Sequence, residues 1–147
     1  MSAFRNDDDI LRRRVASVEQ LRRAAGLEGL TGGLDTVIVN VEPDRLKAAA
    51  EEFLAVTGYG FGGHFLHADG ESCLLTLPGS ADFLLRTRTG PDWSFAGEPL
   101  GPKSQHLPRT RVEAMVFSCR DLLRYVDIQK RRGVRFMTEA PVDSEGA

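Results

Sequence analysis

The feature that most constrains this chain is a strand-and-helix pattern that occurs twice. Asp35-Thr36-Val37-Ile38-Val39-Asn40-Val41 and Glu113-Ala114-Met115-Val116-Phe117-Ser118-Cys119 are both acidic-led runs whose residue types favour a strand. Each leads into a helix with an aspartate placed to cap it, Asp44 for a helix through Thr57 and Asp121 for one running to Arg132. The exits match as well: Thr57-Gly58-Tyr59-Gly60-Phe61 and Arg132-Gly133-Val134-Arg135-Phe136 both pass through glycine to an aromatic residue. One shared feature is common among β/α sequences, but the same features in the same order point to a duplicated module.

After the first helix the pattern changes to strands. Phe61–Ala68 and Glu71–Leu77 flank Asp69-Gly70, a dipeptide suited to a type I′ hairpin turn, and Pro78-Gly79 leads by a second turn into Ala81–Thr87. The first half therefore reads as strand, helix and a three-strand meander. Ahead of it, Leu11, Val15, Val18 and Leu21 recur at helical spacing among arginines, so an amphipathic helix is expected from Asp9 to about Leu27. Gly26, Gly29, Gly32 and Gly33 then break the pattern. The organisation expected is an N-terminal helix and glycine-rich linker over 1–33, a first module over 34–90, a linker over 91–109 and the opening of a second module over 110–147. That linker is rich in Gly and Pro and carries Trp93. A strand starting at Val134–Thr138 is expected to follow the last helix.

Composition excludes several classes of function. With 19 basic and 21 acidic residues in 147 and a net charge of -2, no long-range positive field draws the chain to nucleic acid. Arg12-Arg13-Arg14 follows Asp7-Asp8-Asp9 and reads as part of a solvated helix face. No apolar run approaches the ~20 residues that cross a bilayer. Cys73 and Cys119 lie in apolar strands away from metal-type spacing, which fits reduced thiols and a cytoplasmic protein.

Paired βαβββ modules characterise the vicinal oxygen chelate superfamily, which includes glyoxalase I, bleomycin-resistance proteins and extradiol dioxygenases. From about Gly33 to Pro141 the chain resembles it, and its expected fold class is α+β. Val112–Leu122 is similar to the opening strand and helix cap of a module. Arg131-Arg132-Gly133-Val134-Arg135-Phe136, followed by Glu139-Ala140-Pro141, resembles the hydroxyphenylpyruvate dioxygenase branch in particular.

The resemblance implies a cavity enclosed by curled sheets and, in the family's enzymes, a divalent metal held by His and Glu. Such an ion binds two neighbouring substrate oxygens, or substrate and dioxygen together. The positions matching the family's histidine ligands are here Thr36 and Ala114. Threonine is a poor divalent-metal ligand and alanine is none. No carboxylate stands in Leu84-Leu85-Arg86-Thr87-Arg88, where the third ligand would fall. His64 and His67, three apart in a strand, point to opposite faces, and His106 lies in the linker, so all three are read as strand-edge and loop residues.

Period-two alternation assigns Val37, Val39 and Val41 to a helix-covered face, leaving Thr36, Ile38 and Asn40 on the other; Ala114, Val116 and Ser118 are the matching set in the second strand. With Arg86 and Arg88, which share a face and suit an anionic ligand, these residues form the candidate binding set.

Only Val142–Ala147 follow Pro141, where a whole second module needs about 30 residues more by ordinary strand and turn lengths. Three explanations fit: a piece of a longer protein, a fold completed by a partner chain, or a reduced descendant without the site. Unpaired sheet edges favour a homodimer. The leading expectation is a small-molecule-binding protein with no cofactor. The alternatives are a metal-dependent lyase or dioxygenase, using iron, manganese, nickel or zinc, with ligands outside this stretch, and a non-catalytic interaction module docking through the N-terminal helix. Whether the chain is an enzyme stays open in the sequence.

Overall fold

A computed structural model of the chain describes residues 8–87, 110–136, 138, 140 and 141. These residues fall into two compact units, one from Gly33 to Ser118 and one combining those up to Gly32 with those from Cys119 onward.

The larger unit is built on a five-stranded sheet. Its strands are β1 (Thr31–Asn40), β2 (Gly60–His67), β3 (Gly70–Thr76), β4 (Asp82–Arg86) and β5 (Arg111–Cys119), in the spatial order β2-β3-β4-β1-β5. β2, β3 and β4 form the antiparallel meander expected from the two turns. β1 lies parallel to β4, with Val37 beside Phe83 and Asn40 beside Arg86. A parallel neighbour needs a crossover, and helix α2 (Leu46–Val56) supplies it. On the far side of β1, the amide of Arg120 donates to the carbonyl of Leu30 at 2.8 Å. The end of β5 therefore meets the start of β1, and the two strands run antiparallel.

α2 packs on the face of the sheet that carries Val39, Val41, Cys73, Leu75, Phe83 and Leu85. Val41, Leu46, Cys73, Leu75 and Leu85 are buried there, and Leu75 is fully enclosed. Phe53, Tyr59 and Phe83 close one end of this core, with ring centroids 4.8–5.3 Å apart and two of the three pairs edge-to-face. The Tyr59 hydroxyl donates to the Ala81 carbonyl at 2.6 Å and shares a 2.7 Å hydrogen bond with Ser80. The residue leaving the helix is thereby tied to the start of β4.

In the smaller unit, α1 (Asp9–Ala24) is capped by Asp8, whose carboxylate accepts from the amides of Ile10 and Leu11. No α1 residue is buried, and the stripe of Leu11, Val15, Val18 and Leu21 is exposed. α3 (Leu122–Arg131) begins, as expected, at Asp121, which accepts from the amide of Arg124 at 3.1 Å. It ends before Gly133, whose φ of 88° is open mainly to glycine.

Four local expectations are corrected. β1 begins at Thr31, so Gly32 and Gly33 belong to the strand: ladder bonds outweigh the weak strand propensity of glycine. Asp44 does not cap α2. The chain turns through Pro43–Arg45, the N-cap is Arg45, and no side chain bonds to it, so α2 rests on its packing against the sheet. The β2–β3 hairpin is not type I′, because no non-glycine residue has positive φ and Gly70 is not among the positive-φ glycines. A Cβ at Gly70 would instead collide with the Thr87 carbonyl oxygen, so glycine is required there for close approach. Val134–Phe136 lie outside any strand, having no described strand as a ladder partner. Trp93, His106 and the rest of the 91–109 linker, like Glu139 and residues 142–147, lie outside the described residues.

No helix among the described residues is long and apolar enough to cross a membrane.

Candidate functional site

The registers fix which side chains share a surface. On the face away from α2, Thr36 pairs with Asp82, Ile38 with Leu84 and Asn40 with Arg86. Arg86 in turn lies beside Ser72, and Ser72 beside Phe65, so Asn40, Arg86, Ser72 and Phe65 form one row across four strands. Four members of the candidate set, Thr36, Ile38, Asn40 and Arg86, are thus on one surface. Asn40 and Arg86 are half-buried, while Ile38 is only 3% exposed and acts as packing. Thr36 donates its hydroxyl to the Asp35 carboxylate at 3.1 Å. Ser72 is buried, and its hydroxyl bonds His67 Nε2 at 2.8 Å.

In β5, Ala114 and Val116 are partly buried and Ser118 is exposed, its hydroxyl 3.5 Å from the Gly33 carbonyl. Arg88 lies outside the described residues.

The donor chemistry of the described residues on this surface does not suit a divalent metal. Thr36 is engaged with Asp35, Ala114 has no donor atom, and Arg86 brings positive charge. Among the described residues no three of His, Cys, Asp and Glu come together as a possible metal cluster. His64 and His67 bond different partners from opposite faces of β2.

The other face holds a cavity of about 450 Å³ between α2 and strands β2 and β3, lined by Leu46, Lys47, Ala50, Phe61, His64, Glu71 and Cys73. A bulge at Gly62 creates its wall. The register shifts between Phe61 and Gly63, which brings Phe61 and His64, three residues apart, to the same side. A Cβ at Gly62 would lie 2.9 Å from the Thr76 methyl and 3.2 Å from the Leu74 carbonyl oxygen, so the bulge depends on glycine. At the rim, His64 Nε2 is 2.8 Å from Glu71 Oε2, and both side chains are about half exposed. At the base, burial pushes the Cys73 thiol up from its ordinary range and keeps it neutral. Strict alternation along β2 separates Phe61 from His64, and the glycine pair Gly62-Gly63 was the one sequence signal that could have revealed the bulge.

A βαβββ unit whose sheet continues into the first strand of a second βα unit is now established. The fold is glyoxalase-like. The structure is similar to that of methylmalonyl-CoA epimerase from Mycobacterium tuberculosis, an enzyme of the vicinal oxygen chelate group, with a TM-score of 0.59 and 20% identity over 76% of this chain and 71% of that one. No family model matches the chain, and no curated protein matches it in sequence.

Proposed function

We propose that this chain is a vicinal oxygen chelate superfamily protein that binds a small anionic or aromatic molecule against its sheet, in the manner of the bleomycin-resistance branch, and holds no metal of its own. The observation that carries this reading is the Asn40–Arg86 pair on the face away from α2, in line with Ser72 and Phe65. Arginine offers planar, bidentate hydrogen bonding to a carboxylate or phosphate, and Phe65 offers an apolar surface beside it. Thr36 and Ala114, at the positions of the family's histidines, support a site without metal. Arg88 and the β5 residues Ala114, Val116 and Ser118 complete the proposed set.

The reading extends to a cytoplasmic homodimer. β5 is an edge strand among the described residues, and Met115 and Phe117, on one of its faces, are both more than half exposed, a surface that a second copy can cover. A metal-dependent lyase or dioxygenase is the second reading. It rests on the dioxygenase-like Arg131–Phe136 and Glu139–Pro141 sequences and draws its ligands from outside the residues described.

The test pairs metal retention with ligand-dependent stabilisation. After incubation with iron, manganese, nickel or zinc and desalting, the full chain is expected to keep no metal in stoichiometric amount. Aromatic carboxylates should raise its melting temperature, and Arg86→Ala should weaken that binding about tenfold or more, the scale of a charge-assisted hydrogen bond. Near-stoichiometric metal would replace this reading with the enzymatic one. Stabilisation unchanged by Arg86→Ala would remove the anion-binding role.

A further inference from the structure

We infer that the cavity between α2 and strands β2 and β3 is a second binding site, on the opposite face of the sheet from Arg86, for a small, largely apolar molecule ending in a hydroxyl, of the phenol class. Its volume of about 450 Å³ falls in the range of small-ligand sites, and Leu46, Ala50, Phe61 and Cys73 give it an apolar lining. The polar groups are confined to Lys47, His64 and Glu71.

Those three groups select the head of the ligand. As a carboxylate Glu71 only accepts, so the 2.8 Å contact requires His64 Nε2 to carry a proton. In the neutral ring Nδ1 is then the acceptor. Lys47 only donates. A hydroxyl is the smallest group that serves both, donating to the imidazole and accepting from the ammonium. The charges of Lys47 and Glu71 offset each other, and the buried thiol adds none, so an ionic head would meet a like charge on one side. No other described hydrogen bond uses His64, and its pairing with Glu71 holds the ring in a defined tautomer.

The experiment titrates the full chain with phenol and, separately, with benzene, following the methyl resonances of Leu46 and Ala50. Phenol is expected to shift these resonances at millimolar concentration and to bind about fivefold to tenfold more tightly than benzene, the scale of one net hydrogen bond. His64→Phe, which keeps a ring but carries no acceptor nitrogen, at a half-exposed position that leaves the fold intact, should erase that advantage while leaving benzene binding unchanged. Ala50→Phe should weaken both by placing a ring against the apolar lining that either probe would contact. Equal affinity for the two probes, or no shift of the lining methyls with phenol, would overturn the proposal. A phenol advantage that survives His64→Phe would do the same. Because Arg86 faces the other side, Arg86→Ala should leave phenol binding untouched, which separates failure of this site from failure of the anion site.

Discussion

The two copies of the strand–helix pattern start from similar sequence and end in different environments. α2 sits on β3 and β4, buries Leu46 and delivers Tyr59 into a ring cluster with Phe53 and Phe83. α3 has the better N-cap, yet none of its residues is buried, and Leu122 and Leu123 face solvent. At the exit, Tyr59 bonds Ala81 and Ser80, whereas its counterpart Val134 has no hydroxyl and is exposed. A side-chain cap is neither needed for a helix here, since α2 has none, nor enough to bury one, since α3 has one. What lies beneath a helix decides whether it holds a core together, because burial of apolar area dominates its contribution.

The strongest way to break this contrast is Leu75→Ala. Leu75 is fully enclosed beneath α2, and its truncation should cost about 2–5 kcal/mol in urea unfolding of the full chain. A loss below about 1 kcal/mol would mean that the first repeat has no tighter core than the second. Gly70→Ala comes next. Its methyl must displace the Thr87 backbone, an overpacking cost of about 1–3 kcal/mol, and the same measurement reads it.

Asp121→Ala tests the opposite dependence. It removes the cap on Arg124 and should cost about 1 kcal/mol, seen as loss of amide-exchange protection in the first turn of α3. Loss of protection spread through β3 and β4 would instead tie α3 to the main core.

Cys73 sharpens the comparison through pH. Its folded-state pKa is raised above the ordinary 9.0 by burial, so its contribution to stability is complete below that value and is lost as the pH rises past it. Urea midpoints measured from pH 7 to 10 should fall more steeply for the natural chain than for Cys73→Ala. Parallel profiles would show that the thiol is not desolvated. The smallest effect is expected from Leu123→Ala: at 73% exposure the side chain should cost under about 0.5 kcal/mol in the same unfolding assay.

Much of this was legible in advance because it depends on neighbours in sequence. The runs Val37–Val41 and Met115–Cys119, the Pro78-Gly79 turn, the Asp121 cap and the stop at Gly133 each reflect local backbone preference. Asp44 misled because a capping residue is recognised by type, while α2 starts two residues later at Leu46, which is pulled into the core. Asp69-Gly70 misled for a related reason: glycine is needed there for room beside Thr87, a strand away.

The candidate surfaces divide along the same line. Thr36, Ile38 and Asn40 share a face by alternation alone, so their grouping was available from β1 by itself. That Arg86 lies beside Asn40, and Ser72 beside Arg86, follows from register between strands, which alternation within one strand does not set. The cavity on the other face lies further still from the sequence. It depends on one extra residue at Gly62, which reverses the sidedness of everything after it in β2 and sets Phe61 and His64 together over Cys73. The chain by itself determined where strands and helices form and that the pattern repeats, because those are properties of a few consecutive residues. Tertiary structure alone decided which face each side chain serves, which repeat owns the core and where the pockets lie, because burial and close approach are settled by residues distant in sequence.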